Sequence, residues 1–370
     1  MNIESFKLER YFAKHEFTSK YLLSSSDCDG FSLDYVLSSA QHGELELWND
    51  LKFGYTDSLG HPLLRDAICR HYRTIGREDV FVLSPGEANF ILMLNLLKPG
   101  DELVCMKPAY QSLYQVAKSI GCNILWWECN KTGYYDPDVL ASLVTAKTKL
   151  IVINFPHNPT GYYPSKIEYE RIIEIAAKHN TVLFSDEMYH KLVHDPLKIN
   201  DSAADLYENA ISLWGTAKSF GLAGLRIGWV VSHNKELLDE MKRMKDYLTI
   251  CNSAPSEILT IIALNNSERF IDVNLQKIRK NKIVFRDFVN KHKEMFPNYH
   301  ETTAGSTSLV RMNIDEPTIS YTDKLVRKTG IMIVPSELFE YGNSHIRIGF
   351  GRENMPEALD LWDQYITTPH

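Results

Sequence analysis

Seven strand-length apolar runs, regularly separated by helical patterns, restrict this chain more than any other feature of its sequence. They fall at residues 80–84, 102–106, 123–129, 149–155, 182–187, 210–215 and 228–232. Several are apolar on both faces, as in Leu150-Ile-Val-Ile-Asn-Phe155. A strand needs that character when helices cover both of its faces and neither meets water. Helical segments lie between the runs, for example 89–97, stopped by Lys98-Pro-Gly-Asp101, and 167–179, stopped by Asn180. The alternation predicts an α/β fold built on a mostly parallel seven-stranded sheet with helices on both faces.

Past residue 233 the pattern changes. A charged helical stretch over 235–248 runs into a break at Asn252-Ser-Ala-Pro255, and a second long helical region extends to about 293. Shorter strand patterns at 308–314, 331–334 and 345–350 predict a small α/β domain beside the large one. The expected division is an arm over 1–50 that packs with the small domain, a large domain over 51–250, and a helical connection plus small domain over 251–370.

Charge and cysteine usage exclude several classes of function. Forty Lys and Arg stand against 47 Asp and Glu, a formal net charge of −7, with no basic stripe. Binding along a nucleic-acid backbone is therefore not expected. The first residues lack the apolar core of a secretory signal, and no apolar run approaches the roughly 18 residues needed to span a bilayer. The six cysteines show neither a CxxC pair nor disulfide-like density, and no metal-ligand set is assigned. A cytoplasmic protein without membrane or nucleic-acid partners is expected.

Four segments at strand ends carry chemistry. Ser84-Pro-Gly-Glu-Ala-Asn89 joins a strand directly to a helix, whose exposed N–H groups form an anion site. It matches neither the P-loop nor the GxGxxG pattern, which disfavours ATP and NAD. Asn154-Phe-Pro-His-Asn-Pro-Thr-Gly161 ends an apolar strand in a rigid loop that presents Asn158 where α/β ligands sit. Ser185-Asp-Glu-Met-Tyr189 places an acid, Asp186 or Glu187, at the end of an apolar run, where burial requires a positive partner. In the fourth, Gly215-Thr-Ala-Lys-Ser-Phe-Gly-Leu-Ala-Gly-Leu-Arg226, Lys218 sits among small and apolar neighbours. That is a poor structural site for a lysine and a good one for a nucleophilic amine. Arg226 adds a guanidinium fork suited to phosphate or carboxylate.

Together, in this order and at this spacing from about Tyr55 to Arg347, the segments resemble the class I/II aminotransferases, the pyridoxal-phosphate enzymes of the aspartate-aminotransferase fold. The resemblance implies a pyridoxal 5'-phosphate cofactor and a role for each matching residue. Lys218 matches the lysine that forms an imine with the cofactor and moves the substrate α-proton. Asp186 matches the carboxylate paired with the protonated pyridine nitrogen. Asn158 and Tyr189 match the groups bonded to the ring's phenolic oxygen, and Tyr110 the aromatic residue stacked on the ring. Phosphate is expected on the N–H groups of Gly86, Glu87 and Ala88, with Arg226 as its charged partner. Arg347 matches the arginine that grips the substrate α-carboxylate in a bidentate pair, with Asn158 beside it. Tyr55 matches a tyrosine that reaches the phosphate of a neighbouring subunit, which implies a homodimer with shared active sites.

Three departures from the family pattern stand out. Relatives often carry hydroxyl residues at the positions of Gly215 and Ala217, which leaves Thr216 as the nearby hydroxyl for the phosphate. A frequent Pro-Gly-Ser reads Pro335-Ser-Glu337. The usual glycine-led substrate loop reads Leu23-Ser-Ser-Ser-Asp-Cys-Asp29.

Within the family, that arm, Asn154-Phe-Pro-His157 and Lys245-Asp-Tyr-Leu-Thr249 are most similar to capreomycidine synthase and its relatives, which use the cofactor to cyclise a hydroxylated arginine derivative. Asp27 or Asp29 then becomes a candidate partner for a cationic side chain, against the plainer reading of solvated loop aspartates. The expected activity is amino-group exchange between an amino acid and a 2-oxo acid, with elimination, replacement or cyclisation as the alternative. A cofactor-sensing transcription regulator would need an added DNA-binding module, for which the residues before about 45 leave no room.

Overall fold

Each of the seven apolar runs becomes a strand of one sheet in the computed structural model, which describes residues 2–368. The strands of the molecule are β1 (Tyr21–Leu22), β2 (Val80–Leu83), β3 (Glu102–Lys107), β4 (Asn123–Glu128), β5 (Thr148–Asn154), β6 (Val182–Asp186), β7 (Ala210–Gly215), β8 (Gly228–Val231), β9 (Thr307–Arg311), β10 (Ile331–Met332), β11 (Val334–Pro335) and β12 (His345–Gly349). The large sheet has the order β2-β8-β7-β6-β5-β3-β4. Its pairs are parallel except at β8, which runs antiparallel to both β2 and β7.

The uniformly apolar strands are explained by two cores. Leu150 and Val152 of β5 enter one apolar cluster, while Ile151 and Ile153 enter the cluster on the opposite face. Leu103 and Cys105 of β3 divide from Val104 and Met106 in the same way. Successive side chains point to opposite faces, so both layers are filled by one continuous apolar run.

Several boundaries move for local reasons. The helix expected at 89–97 spans Pro85–Leu96, because Ser84 caps it and Pro85 supplies a preset first turn. The helical region expected to run to about 293 divides into Ala254–Asn265 and Ser267–Lys291. Asn266 leaves helical geometry there, and its side-chain amide donates back to the Ile262 carbonyl at 2.8 Å. The strand expected at 331–334 also divides. β10 pairs in parallel with β1, whereas β11 joins β12 and β9 in a separate antiparallel sheet.

The N-terminal residues wrap this second sheet. Leu8 and Tyr11 of the helix Lys7–His15 pack with Val326, Met332, Val334 and Phe339. The Tyr11 hydroxyl donates to the Ile333 carbonyl at 2.9 Å. Residues 23–29 then lie directly on the end of β12. The Gly349 N–H donates to the Leu23 carbonyl at 2.7 Å, and the Asp29 N–H to the Gly351 carbonyl at 3.0 Å. A Cβ on Gly349 would overlap the Ser25 carbonyl.

Gly349→Ala is accordingly expected to displace the arm and lower unfolding stability by about 1–3 kcal/mol, the usual cost of overpacking. Gly43→Ala is expected to raise it, since Gly43 lies in the helix His42–Asn49 with open space around it and alanine is the better helix former by about 1 kcal/mol. Denaturant titration of both variants checks the contrast.

Candidate active site

Register brings the chemical residues to one edge of the large sheet. Leu83 of β2 and Gly215 of β7 both lie opposite Gly228 of β8, Asp186 lies opposite Leu213, and Asn154 lies opposite Asp186. The ends of β2, β5, β6 and β7 therefore open together on a cavity of about 510 Å³. Gly86, Tyr110, Asn158, Asp186, Tyr189, Lys218, Arg226 and Arg347 all line it. This is the crevice beyond the strand ends where sheets of this kind bind ligands.

Asp186 settles the choice left open at the end of β6. Its side chain faces the cavity, and its Oδ1 accepts the Met188 N–H at 3.1 Å. Burial pushes its carboxyl up to about 7, against the opposing pull of that N–H and of Lys218. Among the described residues no side chain forms an ion pair with it. Glu187 turns to the other face, where one oxygen accepts from the Ala203 N–H at 2.9 Å and the Ser212 hydroxyl at 2.8 Å. Burial raises that carboxyl as well.

The loop after β5 is locked before it reaches the cavity. The Asn154 side chain donates to the Asp186 carbonyl at 2.8 Å and accepts the Asn158 N–H at 2.8 Å. His157 is buried next to the Thr160 hydroxyl at 2.7 Å, and burial holds it neutral, down at about 3. Asn158 can then use its two side-chain ends separately. Its Oδ1 accepts Arg347 Nη1 at 3.0 Å, which leaves its amide nitrogen free to donate.

Arg347 is 1 % exposed, and two elements fix it. Its Nε and Nη2 donate to the Ser24 carbonyl at 3.0 and 2.7 Å. With the Asn158 bond, three of its five N–H groups are committed. One remains on each terminal nitrogen, the pair that a bidentate carboxylate takes.

Other assignments change. Ala88 cannot serve an anion, because its N–H already donates to the Ser84 carbonyl at 3.0 Å as the fourth helical position. The Glu87 N–H is loosely capped by Ser84 Oγ at 3.4 Å, and its carboxylate accepts from the Thr249 hydroxyl at 2.9 Å outside the cavity. Gly86 is left as the glycine facing the cavity, which Arg226 also lines. Thr216 is not brought in, since its hydroxyl donates to the Ile227 carbonyl at 3.1 Å. A side chain at Gly215 would place its Cβ 2.9 Å from Gly228 Cα, which explains the missing hydroxyl there. Tyr55 is 87 % exposed and apart from the cavity of its own chain. Asp27 lines the cavity, paired with Arg352 at 3.1 Å, whereas Asp29 does not and pairs with Lys277 at 2.8 Å. Burial alone would raise Asp27, but Lys218 and Arg352 outweigh it and hold its carboxyl below the ordinary value.

Sequence reasoning singled out the arm loop at residues 23–29, with Asp27, but assigned no role to Ser26 or to the arm residues before the loop. Glu9, Phe12, Glu16 and Ser26 all line the cavity. The Tyr110 hydroxyl donates to Glu9 Oε1 at 2.6 Å, and Phe6 packs on the Tyr110 ring at 4.9 Å between centroids. The amphipathic pattern of residues 7–15 was the available signal, since it demanded an apolar partner surface without naming one.

The chain matches the model of the family described as "Aminotransferase class I and II" over residues 18–360. It belongs to that family. It is 28 % identical over 349 residues to capreomycidine synthase of Streptomyces vinaceus, covering 93 % of this chain and 88 % of the relative. It is also 28 % identical over 338 residues to an aspartate aminotransferase of Sulfurisphaera tokodaii, covering 83 % of each chain. Among solved structures, the PLP-dependent cyclase OrfR superposes with a TM-score of 0.89 at 25 % identity, covering 99 % of this chain and 97 % of that one.

The cofactor of this aminotransferase-family chain is pyridoxal 5'-phosphate, and the cavity fits it. A buried carboxyl without a counter-charge suits a protonated ring nitrogen. The Gly86 N–H at a helix start and the Arg226 guanidinium suit a phosphate.

The unpaired carboxyl has a measurable consequence. In the unfolded chain Asp186 ionises near its ordinary value of 3.8, but in the folded cofactor-free chain only near 7. The folded state binds the extra proton, so stability falls as pH rises through that window. Asp186→Asn in cofactor-free protein is expected to remove on the order of 2–4 kcal/mol of that loss, leaving the slope in the same direction due to Glu187. Denaturant midpoints at pH 5 and pH 8 check it.

Proposed function

We propose that this chain is an aminotransferase that moves an amino group from an amino acid to a 2-oxo acid. The observation that carries the reading is one cavity holding both the Lys218 amine and the open end of the Arg347 guanidinium. Arg347 binds the substrate α-carboxylate and so fixes the α-carbon; Lys218 holds the cofactor covalently and moves the α-proton. When bound, pyridoxal 5'-phosphate supplies an electron sink for the charge left when a bond at the α-carbon breaks.

The remaining residues serve that arrangement. Asp186 keeps a proton on the ring nitrogen, and the Asn158 amide with the Tyr189 hydroxyl donates to the phenolic oxygen. Tyr110 covers the ring, while Gly86 and Arg226 hold the phosphate. Tyr55 is assigned to the phosphate of a second copy. Phe53, Tyr55 and Tyr247 are each nearly 90 % exposed, and the burial that such side chains favour supports a homodimer. All six cysteines are free, which supports a cytoplasmic setting.

A second reading, cyclisation, elimination or replacement on an arginine-derived substrate, has its own support. Glu9, Glu16 and Asp27 put three carboxylates on the cavity wall. The Glu16 carboxylate has no hydrogen bond or ion pair among the described residues, and burial with Asp27 nearby raises it. The similarity to capreomycidine synthase and to a cyclase points the same way.

Mixing the holoenzyme with the common amino acids and with arginine derivatives separates the two readings. Conversion of the cofactor to its amine form, reversed by a 2-oxo acid, supports amino-group exchange. A cyclic product or ammonia with an unchanged cofactor spectrum rejects it in favour of the second. In either case Arg347→Ala is expected to raise KM at least about 100-fold, a loss of roughly 3 kcal/mol for a charged bidentate contact, while leaving the cofactor spectrum intact.

A further inference from the structure

The arm segment that bonds Arg347 also reaches the reacting amine. Lys218 Nζ donates to Ser26 Oγ at 2.9 Å, and among the described residues no other hydrogen bond holds this amine. Two residues earlier, the Ser24 carbonyl accepts from both Nε and Nη2 of Arg347. A single short stretch of chain therefore touches both groups assigned above to the substrate, Arg347 through a backbone carbonyl and Lys218 through a side-chain hydroxyl.

That stretch is held on every side. The Ser26 carbonyl accepts the Ser306 hydroxyl at 2.7 Å. The Leu23 carbonyl accepts the Gly349 N–H, and the backbone of residues 25 and 27 lies against the bare Cα atoms of Gly349 and Gly351. Asp27 is tied to Arg352 at 3.1 Å. Ser26, itself 9 % exposed, cannot shift without moving these contacts. The Ser25 hydroxyl, by contrast, is buried with no hydrogen-bond partner among the described residues.

We propose that Ser26 is a positioning residue for Lys218, resting on the functional reading above. A lysine amine on a flexible four-carbon stem has many orientations, and an ångström of misplacement costs proton transfer on the order of 100-fold. Ser26 fixes Nζ when the amine is not bound to the cofactor. Because Ser24 holds Arg347, the distance between the proton-moving amine and the carboxylate anchor is set by one rigid tripeptide. Ser26 thus gives the chain a hydroxyl at the reacting nitrogen.

The test compares wild type, Ser26→Ala, Ser26→Thr and Ser25→Ala. The first readout is the stopped-flow rate at which cofactor-free protein captures pyridoxal 5'-phosphate covalently. The second is α-deuterium washout from a substrate amino acid, alongside the affinity for a 2-methyl amino acid that has no α-proton. Ser26→Ala is expected to slow capture and washout at least 10-fold with unchanged affinity for the 2-methyl compound. Ser26→Thr is expected to restore both rates to within about 3-fold, and Ser25→Ala to behave as wild type.

Three results overturn the assignment: Ser26→Ala rates within 2-fold of wild type, threonine no better than alanine, or equal losses in Ser25→Ala. The last would show that loosening the arm, not losing the hydroxyl, is responsible. Failure of wild type itself to capture the cofactor at Lys218 would sink the functional reading instead, so the two failures are distinct.

Discussion

Burying a carboxyl without a counter-charge costs several kcal/mol, and this chain does so at Asp186. The acid stands at the end of β6, its carboxyl raised by burial, with one backbone N–H and no ion pair among the described residues. A fold tolerates such a group when something outside the chain supplies the missing charge. The rest of the site is arranged around that demand. β5 brings Asn158 to one side, β7 delivers Lys218, and the helix Pro85–Leu96 turns its first free N–H toward the same space.

The arm does for the substrate end what the sheet does for the cofactor end. Its backbone takes up two of the Arg347 N–H bonds and leaves the outward pair open, while Ser26 meets the Lys218 amine. Both contacts join residues separated by nearly 200 positions or more. The glycines at 349 and 351 make them possible by letting the arm's carbonyl groups come close to the end of β12. Fold stability and substrate geometry thus share one seam, and changes at that seam are expected to register in both.

How much of this could be read in advance follows from which forces are local. The seven strands were legible because a strand buried on both faces has to be apolar throughout, and Lys218, Asn158 and Arg226 were legible as departures from that background. Apolar patterning alone could not separate Asp186 from Glu187, since neighbouring residues face opposite sides and nothing in the pattern says which face holds the cavity; the family resemblance chose Asp186. Thr216 failed for a local reason: its hydroxyl is spent on the Ile227 carbonyl, a bond that no sequence pattern announces. Ala88 failed because the helix was expected to begin at residue 89. Once Pro85 is its first residue, the Ala88 N–H must bond the Ser84 carbonyl. The arm loop at residues 23–29 stood out as a departure from the family pattern, but its bonds to Lys218 and Arg347 did not, because they are long-range and leave no periodic trace.

The account rests on a covalent link between Lys218 and pyridoxal 5'-phosphate. Sodium borohydride reduction of the cofactor-loaded protein, followed by proteolysis and mass spectrometry, tests it directly. A phosphopyridoxyl mass on the peptide that carries Lys218, absent from Lys218→Ala protein, is the predicted result. Protein that gains no such mass, or that carries it on another buried lysine such as Lys245 or Lys282, would contradict it.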